Sequence, residues 1–259
     1  MPLTFPSHAA AVLPLKLWRP RWFDGVALVV GSAAPDFPYA LDPYRDIHGH
    51  TWWGLVWFCV PVTVAASWLV RRAAPQVAAH LPDGGPLALR DYGVLGRVRY
   101  PLSVSAGCAW LGALSHRLWD MFTHASIDQG TVRFAWLSRE AFAGQPWWQV
   151  LQYGSTVLGA VVVLILFVRV GRTRALVAWH GDLRRVGSAA PVRQSGAFWG
   201  TAAAVVVLGV AAQPFLAGAG EVAIVYVRML AVVGLALLSA AAVSSARCRG
   251  TGPRSVRRE

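Results

Sequence analysis

The chain has 259 residues, 56% of them hydrophobic and 14% charged, with a mean hydropathy of +0.47. A soluble domain carries about 25% charge, so this composition excludes an ordinary water-soluble globule and points to lipid as the solvent. The net charge of +12 and pI near 10.9 would suit a nucleic-acid partner, but the arginines fall in loop clusters that membrane topology explains, and no nucleic acid is expected.

In chain order, the opening stretch MPLTFPSHAAAVLPL has no basic region ahead of its apolar residues, the first cation being Lys16, and does not read as a signal peptide. Pro6 and Ser7 predict the start of a short helix over His8–Trp18, with Ser7 as its cap. Lys16, Arg19, Pro20 and Arg21 mark a turn, and a second helix is expected from Phe23 to about Ala34, where Pro35 stops it. At 1.5 Å per residue this hairpin returns Asp36 to about the level of His8. Residues Trp22–Leu41 are apolar enough for a weak segment, broken by Asp24, Pro35, Asp36 and Pro38.

Five stronger apolar runs follow: Trp52–Val70, Leu102–Phe122, Val150–Val170, Ala197–Ala217 and Val222–Val243. Each approaches or exceeds the roughly 18–20 residues that a spanning helix needs. The expected fold is therefore all-α, a polytopic membrane helix bundle of about five spans plus an N-terminal helical hairpin. Residues 1–149 would carry the site, 150–246 three further transmembrane helices, and 247–259 a basic tail. Arg71, Arg72, Arg90, Arg97 and Arg99 lie in one loop, Arg169, Arg172, Arg174, Arg184, Arg185 and Arg193 in another, and Arg247, Arg249, Arg254, Arg257 and Arg258 in the tail. Alternating spans put all three clusters on one side, which the positive-inside rule makes cytoplasmic. The expected location is the cytoplasmic membrane, with the C-terminus inside. The loop Ala125–Gln149, rich in aromatics and ending in Trp147-Trp148, is then external. Residues 81–99 read as a loop without chemistry of their own. His80 and His180 read as solvated, and Cys59, Cys108 and Cys248 show no pairing pattern.

Against this apolar background stand seven ionisable residues: His8, Asp36, His48, His50, His116, Asp120 and His124. Such groups at membrane depth are costly and mark function by default. His116, Asp120 and His124 are spaced i, i+4 and i+8, which keeps them near one helix face. The topology brings all seven to the external side. Imidazole and carboxylate together suit a divalent metal, zinc first among them. His116 and Asp120, one turn apart, can share an ion. His124 is about 12 Å along the axis from His116, so the ladder predicts either two ions with Asp120 between them or one ion with an outer histidine. Asp46 precedes His48 and could add a ligand. Arg117 and Arg133 lie near the outer site and read equally as holders of an anionic substrate oxygen or as snorkelling interfacial cations. The plainer alternative is polar glue, in which these groups only pair across helices. No phosphate-binding loop, nucleophile elbow or HExxH motif is present.

The opening residues through His8, the block Gly31-Ser-Ala-Ala-Pro-Asp36-Phe-Pro-Tyr39 and His48-Gly-His50-Thr resemble a bacterial membrane family catalogued as domain of unknown function 4184. More distantly the pattern is similar to inner-membrane metal-dependent hydrolases, and through them to zinc-dependent phospholipases C and single-strand nucleases. The elements in common are His8, Asp36, His50 and the helical pair His116 and Asp120. The resemblance implies that the helical pair are metal ligands and that Asp36 is a ligand or catalytic base. The soluble enzymes carry a further helical His-x-x-x-Glu pair, which Glu140 and Asp128 do not match in spacing. The sequence therefore supplies ligands for one or two ions. The expected function is a metal-dependent phosphoester hydrolase opening at the external face, acting on a phospholipid or lipid-linked phosphate. The alternative is a non-catalytic membrane protein with a structural metal or polar core.

Overall fold

The structure, a computed structural model, describes residues 5–45, 47–82, 85–125, 133–181 and 195–250. Asp46, Asp128, Arg184, Arg185, Arg193 and the tail arginines Arg254, Arg257 and Arg258 lie outside the described residues. The described chain is helical apart from one antiparallel hairpin, β1 (Glu140–Phe142) with β2 (Gln145–Pro146).

Helix α1 covers Phe5–Trp18. Ser7 is thus inside the helix rather than its cap, and its hydroxyl donates across the bundle to the Ser155 carbonyl at 2.7 Å. Helix α2 is shorter than expected, Gly25–Gly31, because Asp24 caps it by accepting from the Ala27 amide at 3.1 Å. Past Ser32 the chain tightens into a 3-10 segment over Ala34–Ala40, in which Pro35 and Pro38 supply no donor and so cannot continue an α-helix. That segment carries Asp36.

Helix α3 runs unbroken from Trp52 to His80, ten residues beyond the expected Val70. The Thr51 hydroxyl caps it, accepting from the Gly54 amide at 2.9 Å. Its first turns widen into a π-helical segment over Leu55–Cys59, just ahead of Pro61, whose missing donor would otherwise break the ladder. Residues 81–99 are not featureless: Leu89–Arg97 forms a 3-10 segment against α3. Helix α4 (Leu102–Thr123) buries Ser105, Cys108, Ala109, Gly112, Ala113 and His116 along one face, a three-to-four spacing turned towards α2 and the core. Then come α5 (Trp147–Arg172), the short α6 (Ala175–His180), α7 (Ser195–Ala212) and α8 (Val222–Gly250).

Among the described residues, four helical segments are long and apolar enough to cross a membrane: Trp52–His80, Trp147–Arg172, Ser195–Phe215 and Val222–Arg247. This is a helical membrane protein. The α4 segment, expected as a further span, is not one of the four. His116, Arg117 and Asp120 lower its mean hydropathy; one face packs on α1, α2, α3 and α5, while Trp110, Leu111, Leu118, Trp119 and Phe122 are exposed on the other.

Glycine permits the tightest of these contacts. A Cβ on Gly31 would sit 2.5 Å from the Ala109 carbonyl oxygen, and one on Gly112 would sit 2.5 Å from that of Leu28. The backbones of α2 and α4 therefore touch. A layer of Ala34, Leu55, Cys59 and Ala113 packs immediately beside the polar residues. A separate core of Ala73, Phe198, Ala202, Ala236, Ala240 and Ala241 joins α3, α7 and α8.

Candidate metal centre

Four elements converge on one point. Helix α1 brings His8, the 3-10 segment brings Asp36, the turn before α3 brings His50, and α4 brings His116 and Asp120. His116 is fully buried, and its Nδ1 lies 2.8 Å from the Ser32 carbonyl. A carbonyl only accepts, so Nδ1 carries a proton and donates to it, leaving Nε2 as the ring atom that faces the cluster, a donor to Asp120 Oδ2 when protonated and a metal ligand when not. A backbone carbonyl fixing the tautomer in this way is the usual support of a metal-binding histidine.

Around His116 Nε2 the polar atoms are close. Asp120 Oδ2 is at 3.0 Å, His50 Nε2 at 3.2 Å and Asp36 Oδ1 at 3.5 Å. His50 Nε2 is itself 3.2 Å from Asp36 Oδ1 and 3.5 Å from Asp120 Oδ2. His8 stacks its ring on His116 at 3.8 Å and points Nε2 at Asp120 Oδ1, 3.6 Å away. Two groupings have ligand atoms within 4.8 Å of one another: His8, His116 and Asp120, and Asp36, His50 and His116.

His124 terminates α4 as its C-cap in extended conformation, so it is not the third rung of a helical ladder. It still reaches Asp120, with Nδ1 3.2 Å from Oδ1. A carboxylate can only accept, so Nδ1 donates, and the remaining Nε2 accepts from the Gln152 side-chain amide at 3.0 Å. Gln152, buried on α5, escapes sequence reasoning because a lone glutamine in an apolar span has no spacing to mark it.

Asp36 is 8% exposed. Burial alone would raise its carboxyl, but the charge and hydrogen bonds of His116 and His50 outweigh this and hold it below the usual carboxylate range. His50, with 33% of its side chain exposed, is the open side of the cluster.

The remaining expectations divide. His48 is exposed and belongs to neither grouping. The reason is Gly49: a Cβ there would lie 2.7 Å from the Pro35 carbonyl oxygen, so the turn seats its backbone on the Asp36 segment and directs His50 inward. Arg117 lies over the Trp52 ring at 5.8 Å, and Arg133 is exposed. Glu140 is exposed on β1, accepting from the Gly144 amide, and stands apart from the cluster.

His80 stacks on Phe198 at 4.1 Å, and His180 is half-buried beside Trp179, so neither is the solvated residue expected. Arg228, in the second turn of α8 within its apolar run, is 5% exposed and donates to the carbonyls of Ala40 at 3.1 Å and Asp42 at 2.5 Å. It holds the end of the segment that carries Asp36.

Fold and site together define a polytopic helical membrane protein with a buried histidine–aspartate cluster at one end of its bundle. The chain belongs to the family described as domain of unknown function DUF4184, whose model matches residues 1–246. No curated protein and no solved structure matches it.

Proposed function

We propose that Asp36, His50, His116 and Asp120 hold a divalent metal ion, zinc first, and that the protein is a metal-dependent phosphoester hydrolase of the cytoplasmic membrane. The site would open at the external face, and the C-terminus would be cytoplasmic. One observation carries the metal reading. An ion about 2.0–2.1 Å from four tetrahedral ligands sets those ligands about 3.3 Å apart. Five of the six pairs among these four residues lie at 3.0–3.5 Å, the sixth being Asp36 with Asp120, which fall in different groupings.

When bound, such an ion supplies Lewis-acid activation of water and of a phosphoryl oxygen. The chain's own groups do the rest. The Ser32 carbonyl fixes the His116 tautomer. Asp120 divides its oxygens, Oδ2 towards His50 and His116 and Oδ1 towards His8 and His124. It could therefore bridge to a second ion beside His8. Asp36 is the candidate base, if it is not a ligand, and Arg117 the candidate cation for a phosphate oxygen. The setting in a membrane protein favours a phospholipid or lipid-linked phosphate as substrate.

A second reading has its own support. Four protein ligands are the complement of a closed structural site, whereas catalytic zinc keeps a position open. Elemental analysis of detergent-purified full chain, prepared without chelator and with metal added back, tests both. One or two ions per chain in the wild type, absent from His116→Ala and Asp120→Ala, is the expected result. Metal-dependent cleavage of a chromogenic phosphodiester then supports the hydrolase. Metal without cleavage, and a Tm that drops on chelation, supports the structural clip. A metal-free wild type overturns both.

A further inference from the structure

At the opposite end of α4 lies a second polar group that the metal reading does not use. Lys16, in the last turn of α1, is 6% exposed. Its ammonium donates to the Tyr100 hydroxyl at 2.7 Å and the Phe23 carbonyl at 3.1 Å, and lies 5.3 Å over both the Tyr100 and Trp179 rings. Fully buried Asp24 pairs with Arg71 and accepts from the Ser105 hydroxyl at 2.6 Å. Two cations, Lys16 and Arg71, thus face one carboxylate. Asp91, the acid on the neighbouring 3-10 segment, is taken up by Arg174 at 2.7 Å.

Lys16, Asp24, Arg71 and Tyr100 form one wall of a cavity of about 300 Å³, whose other walls are largely apolar and include Val26, Val29, Val163, Leu166 and Phe167. That volume is at the lower end of the roughly 300–1,000 Å³ of small-ligand pockets. Beside it, sharing Val98, Tyr100, Trp179 and His180, is a polar recess of about 350 Å³ lined by Arg21, Arg97 and Arg99. Arg97 and Arg99 are exposed. The His180 imidazole is pushed down to about 4 by burial and by the charges of Lys16 and Arg71, so near neutrality it is an uncharged hydrogen-bonding group.

An apolar chamber behind three arginines is complementary to a molecule with an anionic head and an alkyl tail. A nucleic acid would leave the chamber empty, and a basic or neutral ligand would meet like charge or none. We propose that this end of the bundle binds one anionic phospholipid. Its phosphate sits among Arg21, Arg97 and Arg99, and part of one acyl chain lies in the cavity against Val163 and Phe167. Arginine forks suit phosphate oxygens, and juxtamembrane basic residues are attracted to anionic lipid.

The test is native mass spectrometry of the full-length protein in detergent, titrated separately with phosphatidylglycerol, phosphatidylcholine and inorganic phosphate. The expected result is one phosphatidylglycerol retained per chain, at least tenfold in preference to phosphatidylcholine. Arg97→Gln and Arg99→Gln, at exposed positions, should each weaken retention about fivefold with Tm as the control for fold, since Arg99 also donates to the carbonyls of Gly96 at 3.0 Å and Val98 at 3.1 Å. Val163→Phe, which fills the chamber, should abolish it while keeping the wild-type Tm. Equal retention of the two lipids overturns the proposal, as does undiminished retention in the arginine variants. Displacement of the lipid by equimolar inorganic phosphate would mean a simple anion site and also overturns it. Metal content should be unchanged in every variant, so failure here is distinct from failure of the metal reading.

Discussion

Asp120 sits at the centre of the cluster, and its partners sort by oxygen: His50 and His116 at Oδ2, His8 and His124 at Oδ1. If His124 orients the carboxylate, His124→Ala should keep the fold and weaken metal affinity about 10–100-fold, the usual cost of losing such a partner. Competition with a chromogenic chelator measures this. A drop to half the wild-type ion count instead would make His124 a ligand of a second ion. Gly49→Val should separate His50 from Asp36, because its side chain collides with the Pro35 carbonyl. Metal content should then fall as far as in His50→Ala. The residues of the cluster were readable in the sequence, because ionisable groups stand out against an apolar background. The resemblance set His50 ahead of His48, but the contact that turns His50 inward, between Gly49 and Pro35 14 residues apart in the chain, was not readable. Gln152 and the Ser32 carbonyl were equally hidden, having no charge or period to mark them.

Among elements, α2 and α4 are held in register at both ends. Their backbones meet at Gly31 and Gly112, and Asp24, the cap of α2, binds Arg71 of α3 and Ser105 of α4. Removing one partner of a buried pair leaves an uncompensated charge, so Asp24→Ala should cost about 3–5 kcal/mol. Asp24→Asn with Arg71→Met should recover most of that loss, as read by thermal unfolding in detergent. Arg228 is the corresponding tie between α8 and the Asp36 segment. Arg228→Met leaves two carbonyls without their donor and should destabilise by roughly 1–3 kcal/mol. Helix positions were legible from apolar runs, but their ends were not. α3 outran its apolar stretch because Arg71 and Arg72 are still good helix formers. The 3-10 segment at 89–97 has no such run and is set by packing on α3.

At the scale of the whole molecule, the two polar groups lie at opposite ends of α4, a helix of 22 residues, about 33 Å long. The basic loops and the aromatic hairpin around β1 and β2 are likewise separated by the length of α5. If the basic end is cytoplasmic, a single cysteine placed at exposed Ser138 in a cysteine-free background should react with an impermeant maleimide in intact cells. One at Arg97 should react only after permeabilisation. The reverse pattern would invert the orientation and move the metal site to the inner face. A membrane helix bundle was legible from composition alone. Four of the five expected spans are apolar enough to cross a membrane; α4 is also of spanning length but mixes an exposed apolar face with the polar residues of the cluster.

That polarity has a consequence for biogenesis. During synthesis α1 and α2 emerge before α3, yet neither is long enough to cross a bilayer alone, being 14 and 7 residues. α4, which they clasp, is not among the segments apolar enough to partition by itself. Because α1 and α2 both pack on α4, they are expected to enter the bilayer together with it, between α3 and α5. Insertion of this protein is therefore expected to depart from a sequential threading of independent hydrophobic segments. The metal-site helices would then arrive late, as a preassembled wedge, and a chain stopped before α5 should be handled by the cell as unfolded.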